Sequence, residues 1–317
     1  MAAADLTAQV GAVLAEKNGE LWQTNMQDLR VEVERRLCLQ EGALLERRYE
    51  LLIAVTRAWG IRVSAPAGGA CAAAPYIQAL CSGSCSMAAA QASLEKLEVV
   101  LADANAAKAA LAPEMSLVAL MCVLMLSDEP KLPALALRVL TAVSMHGGGC
   151  TTLLLQADGL RNGTGLLDVL LGRLPRCGDE LSILIVALIN NLADTPANQL
   201  RIVASGALGA LTHVILNPAA SGVLKEHVLT AAAAMGAMAE EEISFPQVVG
   251  RLCASRVPGT QRQAVHAMEI LADRPQLRPQ LAALSDIVSG LRSACGSRDS
   301  VAAQGAKDTL GILGITS

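Results

Sequence analysis

Aromatic residues are almost missing from the 317-residue chain: one Phe, two Tyr and two Trp, 2% in all. Strands favour aromatic and β-branched side chains, so this shortage argues against a β-sandwich or barrel. Hydrophobic residues nevertheless make up 53% of the chain. The core must then be built from Ala, Leu, Val, Ile and Met, and small residues of this kind let helices approach closely. An all-α fold is the expectation before any motif is read. A basic surplus is also lacking. The net charge is −4 and the pI about 5.6, which disfavours a dedicated nucleic-acid binder. Mean hydropathy is +0.43, yet no apolar run reaches the ~20 residues that span a bilayer. The nearest, Met115–Leu126, stops at Ser127-Asp128-Glu129, and Leu181–Leu192 is also too short. The N-terminus has no early basic cluster and carries Asp5. It fits neither a secretory signal nor an Arg-rich transit peptide, so a soluble intracellular protein is expected.

Enzyme signatures are lacking too. There is no Gly-x-Gly-x-x-Gly after a strand and no P-loop. Gly147-Gly148-Gly149-Cys150 and Arg161-Asn162-Gly163-Thr164-Gly165 are Gly-rich but have no Lys-Ser/Thr, so both read as turns between helices. The nine Cys, at 38, 71, 81, 85, 122, 150, 177, 253 and 295, are odd in number and irregular in spacing. They read as reduced thiols, several of them small core residues, and not as a disulfide framework. Cys81-x-x-x-Cys85 could supply half a zinc site, and His146 and Cys150 are also four apart, but zinc needs four ligands and nothing in the sequence joins the pairs. His213, His227 and His266 stand singly and read as structural or surface residues. Glu240-Glu241-Glu242 suits the start of a helix, where the macrodipole is positive, with a docking patch for a basic partner as the sharper alternative. No cofactor is expected.

What is present is organised around residues 181–211, LSILIVALINNLADTPANQLRIVASGALGAL. Leu181–Leu192 is too long for a typical strand and apolar enough for a buried helix. Asp194-Thr195-Pro196 breaks it, because Pro cannot continue a helix. A shorter helix follows with Leu200, Ile202 and Val203 as its apolar positions. Ser205-Gly206 then stops it in the manner of a left-handed cap, and Ala207 opens the next helix. Ile189, Asn191, Leu192, Ala193, Asn198, Ile202, Val203, Gly206, Ala207 and Leu208 fill the places of the armadillo-repeat pattern. That pattern is an apolar third helix ending Leu-x-Asn-Leu-Ala, a polar turn, then Ile-Val-x-x-Gly-Ala-Leu. The stretch thus resembles an armadillo repeat, of the armadillo/HEAT-like class.

Related third-helix endings recur at LTAVS (140–144), INNLA (189–193), MGAMA (235–239), MEILA (268–272) and LGILG (310–314). Aligned on Asn191, they place Ala142, Ala237, Ile270 and Ile312 in register, with spacings of 49, 46, 33 and 42 residues. These bracket the roughly 40–47 residues of armadillo or HEAT units. The long spacings imply insertions at Leu160–Gly165 and Asn217–Gly222, and the short one a curtailed helix near Glu240–Ser244. Upstream, a helix is expected over 3–17, stopped by Asn18-Gly19, then a long one over 21–59 with Trp22, Met26, Leu29, Val33, Leu37, Leu44, Leu52 and Val55 on one face. That helix reads as a cap, or alternatively as a coiled-coil arm. Further helices are expected at 87–111, 114–126 and 135–145. The last helix, with Ala302, Ala306, Leu310 and Leu313 inside and Gln304, Lys307 and Asp308 outside, suits an end cap.

The fold expected is therefore an all-α, armadillo-like right-handed α-solenoid, or superhelix, with an N-terminal helical extension. Its parts are N-terminal helices at 1–61, an Ala/Gly/Ser-rich linker at 62–86 and helical repeats at 87–317. The resemblance implies that Asn191 lies on a concave face and bonds the backbone of a bound peptide. Asn190 stands beside it, and Ala142, Ala237 and Ile270 hold the matching places in other repeats. These five are the candidate partner-binding residues. The Asn ladder has one rung, and neither Trp22 nor Trp59 lies in the repeats, so contact through a partner helix or a flat surface is favoured over capture of a long peptide. The function implied is a non-catalytic protein–protein scaffold, a subunit of a larger cytoplasmic assembly, with cytoskeleton or cilium/axoneme as its setting. Nucleic acid, membrane span and small-molecule substrate are not expected. The alternatives are a regulatory adaptor of exchange-factor or chaperone type, and a metal-binding protein using Cys81 and Cys85.

Overall fold

The computed structural model describes residues 3–16, 26–45, 47–61, 71–82, 85–157, 165–236 and 244–316. These residues are helical and contain no strand. Two compact units result, Met1–Arg173 and Leu174–Ser317.

The first unit contains α1 (Ala3–Glu16), α2 (Met26–Arg36), α3 (Arg48–Ala58), α4 (Ala74–Leu80), α5 (Met87–Val100), α6 (Ala104–Ala110), α7 (Leu117–Met125), α8 (Lys131–Ser144), α9 (Gly149–Ala157) and α10 (Leu166–Arg173). Its centre is α7, LVALMCVLM, apolar on every side and buried at all but one position. A helix without a polar face can exist only where neighbours cover its whole circumference. Helices α3, α8, α9 and α10 provide that cover. Full burial of each Leu, Val or Met there contributes about 1.5–3 kcal/mol, which outweighs the weak propensity of a short helix.

The single helix expected over 21–59 is two helices. Residues 21–25, Trp22 among them, and Glu46 lie outside the described residues. Between α2 and α3 the chain turns through Cys38 (φ 51°) and Gly42 (φ 85°). Glu34, buried in α2, reaches forward to accept the amides of Gly42 (3.1 Å) and Leu44 (2.8 Å), and Leu44 drops into the core. A side chain eight and ten residues upstream thus satisfies N–H groups that a continuous helix would have bonded internally. The helix expected at 87–111 is likewise divided. Asp103 accepts the amides of Asn105 and Ala106 and starts α6 as an N-cap. Pro113–Met115 is a 3-10 turn ending at Ser116 (φ 48°), so α7 begins at Leu117 and not at 114. Helix α8 begins at Lys131, four residues before the expected start, because Pro133 falls in its first turn, where a missing N–H is tolerated. In the 62–86 segment, α4 exceeds the one turn expected at 76–80, and Ile77 and Leu80 are buried; residues 62–70, 83 and 84 lie outside the described residues.

The second unit contains α11 (Asp179–Leu192), α12 (Pro196–Ala204), α13 (Ala207–Leu216), α14 (Gly222–Gly236), α15 (Ser244–Cys253), α16 (Pro258–Ala272), α17 (Arg278–Ala283), α18 (Ser285–Cys295) and α19 (Ser300–Ile312). The local order read at 181–211 is what forms. Asp179 and Glu180 open α11 at its positive end. Thr195 caps α12 through the amide of Asn198, with Pro196 at the first helical position. Gly206 (φ 81°) takes the left-handed conformation between α12 and α13. The helices then stack in two rows. Helices α11, α14, α16 and α19 pack each on the next, and α13, α15 and α18 form the other row. The second row closes at Gly250 and Gly290. A Cβ on Gly290 would overlap the carbonyl oxygen of Gly250, and one on Gly250 would lie 2.7 Å from Ile287 Cα. Two glycines thus let α15 and α18 meet backbone to backbone. The insertion read at 217–222 is the turn between α13 and α14; 160–164 and the acidic 240–242 lie outside the described residues.

Candidate functional site

The row α11, α14, α16 and α19 is made of the helices whose endings recur in the sequence. It is held in register by polar links between successive members. Asp179 Oδ2 accepts the Ser221 amide (2.9 Å), joining the start of α11 to the turn before α14. Thr230 Oγ1 of α14 donates to Gln263 Oε1 of α16 (3.3 Å). The Glu226 carboxylate lies over Gly259 at the start of α16. Both of these α14–α16 contacts join residues 33 apart, the spacing that separates Ala237 from Ile270. Between α16 and α19, Ser297 Oγ donates to Gln261 Oε1 (2.6 Å) and Arg262 pairs with Asp299 (2.6 Å). Asp299 also accepts the amides of Val301 and Ala302 as the N-cap of α19. The Arg262 guanidinium, then the amide of Ala302, hold the Asp299 carboxyl below the usual aspartate range. Asp179 is held low by Ser221 in the same way.

The five candidate partner-binding residues fall as follows. Asn190 and Asn191 close α11, Asn190 exposed and Asn191 half-buried. Ile270, half-buried, lies two residues from the end of α16. Both helices pack on α14, so the three positions share one row with α14 between them. Ala237 lies outside the described residues. Ala142 belongs to the first unit, near the end of α8 and half-buried. There α8 packs on α5 through Arg138–Glu98 (2.9 Å) and through His146 Nε2 at 2.8 Å from the Leu101 carbonyl oxygen.

One concavity on the second unit's row escapes single-residue reading. A groove of about 540 Å³ runs between α16 and α19. Val265 and Gly305 form its floor, since a Cβ on Gly305 would lie 3.0 Å from Val265 Cγ1. Val301, 62% exposed, stands on one wall, and His266 and Glu269 on the other. His266 Nδ1 is 3.5 Å from Glu269 Oε2. Gln304 donates to Asp308 Oδ1 (2.8 Å) along α19. The sequence showed His266 as a lone histidine and Val301 as one apolar residue in a cap helix. Only the pairing of α16 with α19, across a loop and two helices, makes them neighbours.

The cysteine candidates are placed as follows. Cys81 and Cys85 are half-buried beside Tyr49, whose hydroxyl donates to the Leu80 carbonyl (2.6 Å). Burial pushes the Cys81 thiol up to about 11 and raises Cys85 as well, which favours the protonated thiols near neutral pH. Cys150 is buried and donates to the Ser144 carbonyl (3.2 Å). Among the described residues, no three His, Cys, Asp or Glu side chains are grouped to hold a metal ion. Nor is any single helix there long and apolar enough to cross a membrane.

No protein-family model and no curated protein matches the chain. Solved structures do. The designed armadillo repeat protein YIII(Dq)4CqI is 17% identical with a TM-score of 0.60, over 75% of this chain and 98% of that one. The designed armadillo repeat protein YIII(Dq.V1)4CPAF, solved in complex with the peptide (KR)4, is 15% identical with a TM-score of 0.63, over 75% and 98%. A set of computationally designed armadillo repeat proteins for modular peptide recognition is 16% identical with a TM-score of 0.61, again over 75% and 98%. Likeness at such low identity is likeness of fold. Together with the two helix rows and the left-handed glycine stop between α12 and α13, it establishes that this chain has the all-α solenoid fold of the armadillo repeat proteins.

Proposed function

We propose that the protein is a non-catalytic interaction scaffold whose partner docks on the face made by α11, α14, α16 and α19. The observation that carries this reading is the row itself. Successive helices are locked in register by paired polar side chains, and the positions left outward include Asn190, Ile270, Val301 and the α16/α19 groove. A surface built on packed helices is rigid, so a partner meets it already ordered. That armadillo designs of this fold are made for peptide recognition supports a polypeptide as the ligand. Apolar residues at Ala142, Ile270 and Ile312 favour side-chain contact over a repeated backbone grip by asparagine. The setting proposed is a larger intracellular assembly, with the cytoskeleton or axoneme as the first place to look. This setting rests on analogy of fold alone.

Recovery of partners from a cell extract on the immobilised full chain tests the reading. Asn190→Arg and Ile270→Arg each place a charged side chain on the face. Each should cut recovery of the same set of proteins by roughly tenfold, the effect of burying an unpaired charge at an interface. Unaltered recovery with both variants, each folded by circular dichroism, would place the binding surface elsewhere.

A further inference from the structure

We infer that Arg30, in the first unit, is the receptor for a carboxylate brought by a ligand. The site goes beyond the docking face of the second unit and does not depend on it. Arg30 lies on the inward face of α2 with Met26, Leu29, Val33 and Glu34. It is only 9% exposed. Its Nε and Nη1 are closed to solvent and make no hydrogen bond, and among the described residues no carboxylate pairs with the guanidinium. Enclosing a charge without a partner is among the costliest arrangements a fold can hold. A buried lysine or carboxylate relieves that cost by turning neutral, whereas arginine stays charged. A partner stands close by in the sequence. Glu34 follows four residues on, on the same face of α2, at the spacing where helical ion pairs form. Its two oxygens go instead to the amides of Gly42 and Leu44. Other acids of α1 and α2 are also engaged: Glu32 holds Arg35 and Arg36, and Glu16 holds Arg36. Asp28 faces solvent.

The class of ligand follows from the charges. A guanidinium presents a planar fork of N–H donors that matches the two oxygens of a carboxylate. One positive charge, with the negative Glu34 a turn away, balances a single negative charge and not two, which selects a carboxylate over a phosphate dianion. Met26, Leu29 and Val33 make the face apolar, so a charge-assisted bond formed there is strong.

Proton–nitrogen correlation spectra of the full chain, labelled at arginine, test the site. Arg30→Lys assigns the Arg30 Nε–H signal by its loss. Acetate and N-acetylglutamate amide should each shift that signal saturably, while chloride at equal ionic strength leaves it in place. Tighter binding of acetate supports a free small acid as the source, and tighter binding of the capped glutamate supports an acidic side chain of a partner. Acetate should also raise the melting temperature above that in chloride. This gain should vanish in Arg30→Met and fall severalfold in Arg30→Lys, which keeps the charge but not the fork. Without ligand, Arg30→Met should melt at or above the temperature of the unaltered chain, because it fills the same space with no buried charge. A lower melting temperature for Arg30→Met would show that the fold itself uses the guanidinium and would overturn the inference. So would the absence of a saturable shift with both carboxylates, or an acetate gain that Arg30→Lys keeps in full. Phosphate above neutral pH, where it is a dianion, binding as tightly as acetate would overturn the single-charge assignment.

Discussion

Glycine at three places in the second unit plays two opposite parts, and substitution separates them. At Gly290 a methyl group would meet the backbone of Gly250. Backbone cannot step aside as a flexible side chain can, so Gly290→Ala should destabilise the protein by on the order of 3 kcal/mol in thermal melts. Gly209 and Gly311, within α13 and α19, have nothing within 4 Å of a built Cβ. Alanine there removes only backbone freedom, so either change should stabilise by about 0.5–1 kcal/mol. Asp299 gives a pH signature. Its carboxyl is held low by Arg262 first and by the Ala302 amide next, so the ionised form belongs to the folded state. Its contribution is whole above the unfolded value of about 4 and disappears as pH falls through the lower folded value. Between about pH 5 and pH 2 the melting temperature should fall less steeply for Asp299→Asn than for the unaltered protein.

Among elements, the α2–α3 break tests whether a helix boundary can be set from a distance. The buried carboxylate of Glu34 holds the amides of Gly42 and Leu44. Glu34→Ala leaves those donors without their acceptor, and the Leu44 amide is buried. A loss of roughly 2–4 kcal/mol is expected, with faster amide hydrogen exchange centred on residues 38–45. A continuous helix is no escape, because Cys38 and Gly42 sit at positive φ in the packed form, and straightening would withdraw Leu44 from the core. The α11–α12 turn is the contrasting case, since its boundary is set locally by Thr195 and Pro196. Thr195→Ala should cost only about 1 kcal/mol, the value of an N-cap.

At the scale of the molecule, a stacked array transmits strain to neighbours and little further. Gly290→Ala should therefore raise amide exchange in α15, α18 and the helices on them, α16 and α19, while α5, α7 and α8 keep their protection. Equal loss of protection in both units would show that Met1–Arg173 and Leu174–Ser317 unfold as one. The proposed docking face belongs to this scale as well. Asn190 of α11 and Ile270 of α16 have no joint meaning until both helices pack on α14.

The residues alone determined the fold class and the local grammar of the repeat. Few aromatics with abundant Ala and Leu excluded sheets, and Thr195-Pro196 and Ser205-Gly206 marked real helix ends because capping and left-handed glycine depend on the next few residues only. The recurring endings identified the helices of one row, and the 33-residue spacing equals that of the Thr230–Gln263 contact. Periodicity could not show that 21–59 divides in two. Its apolar positions keep to one helical face through wider steps after Leu37 and Leu44, Gly42 marks at most a kink there, and the group that ends α2 is a carboxylate acting on amides a turn and a loop away. Nor could it disclose the groove or the Gly250–Gly290 crossing, since each joins residues about 40 apart whose meeting depends on how one helix lies on the next. Helix ends are short-range chemistry, written where they act; surfaces and crossings arise from packing, which no stretch of chain contains by itself.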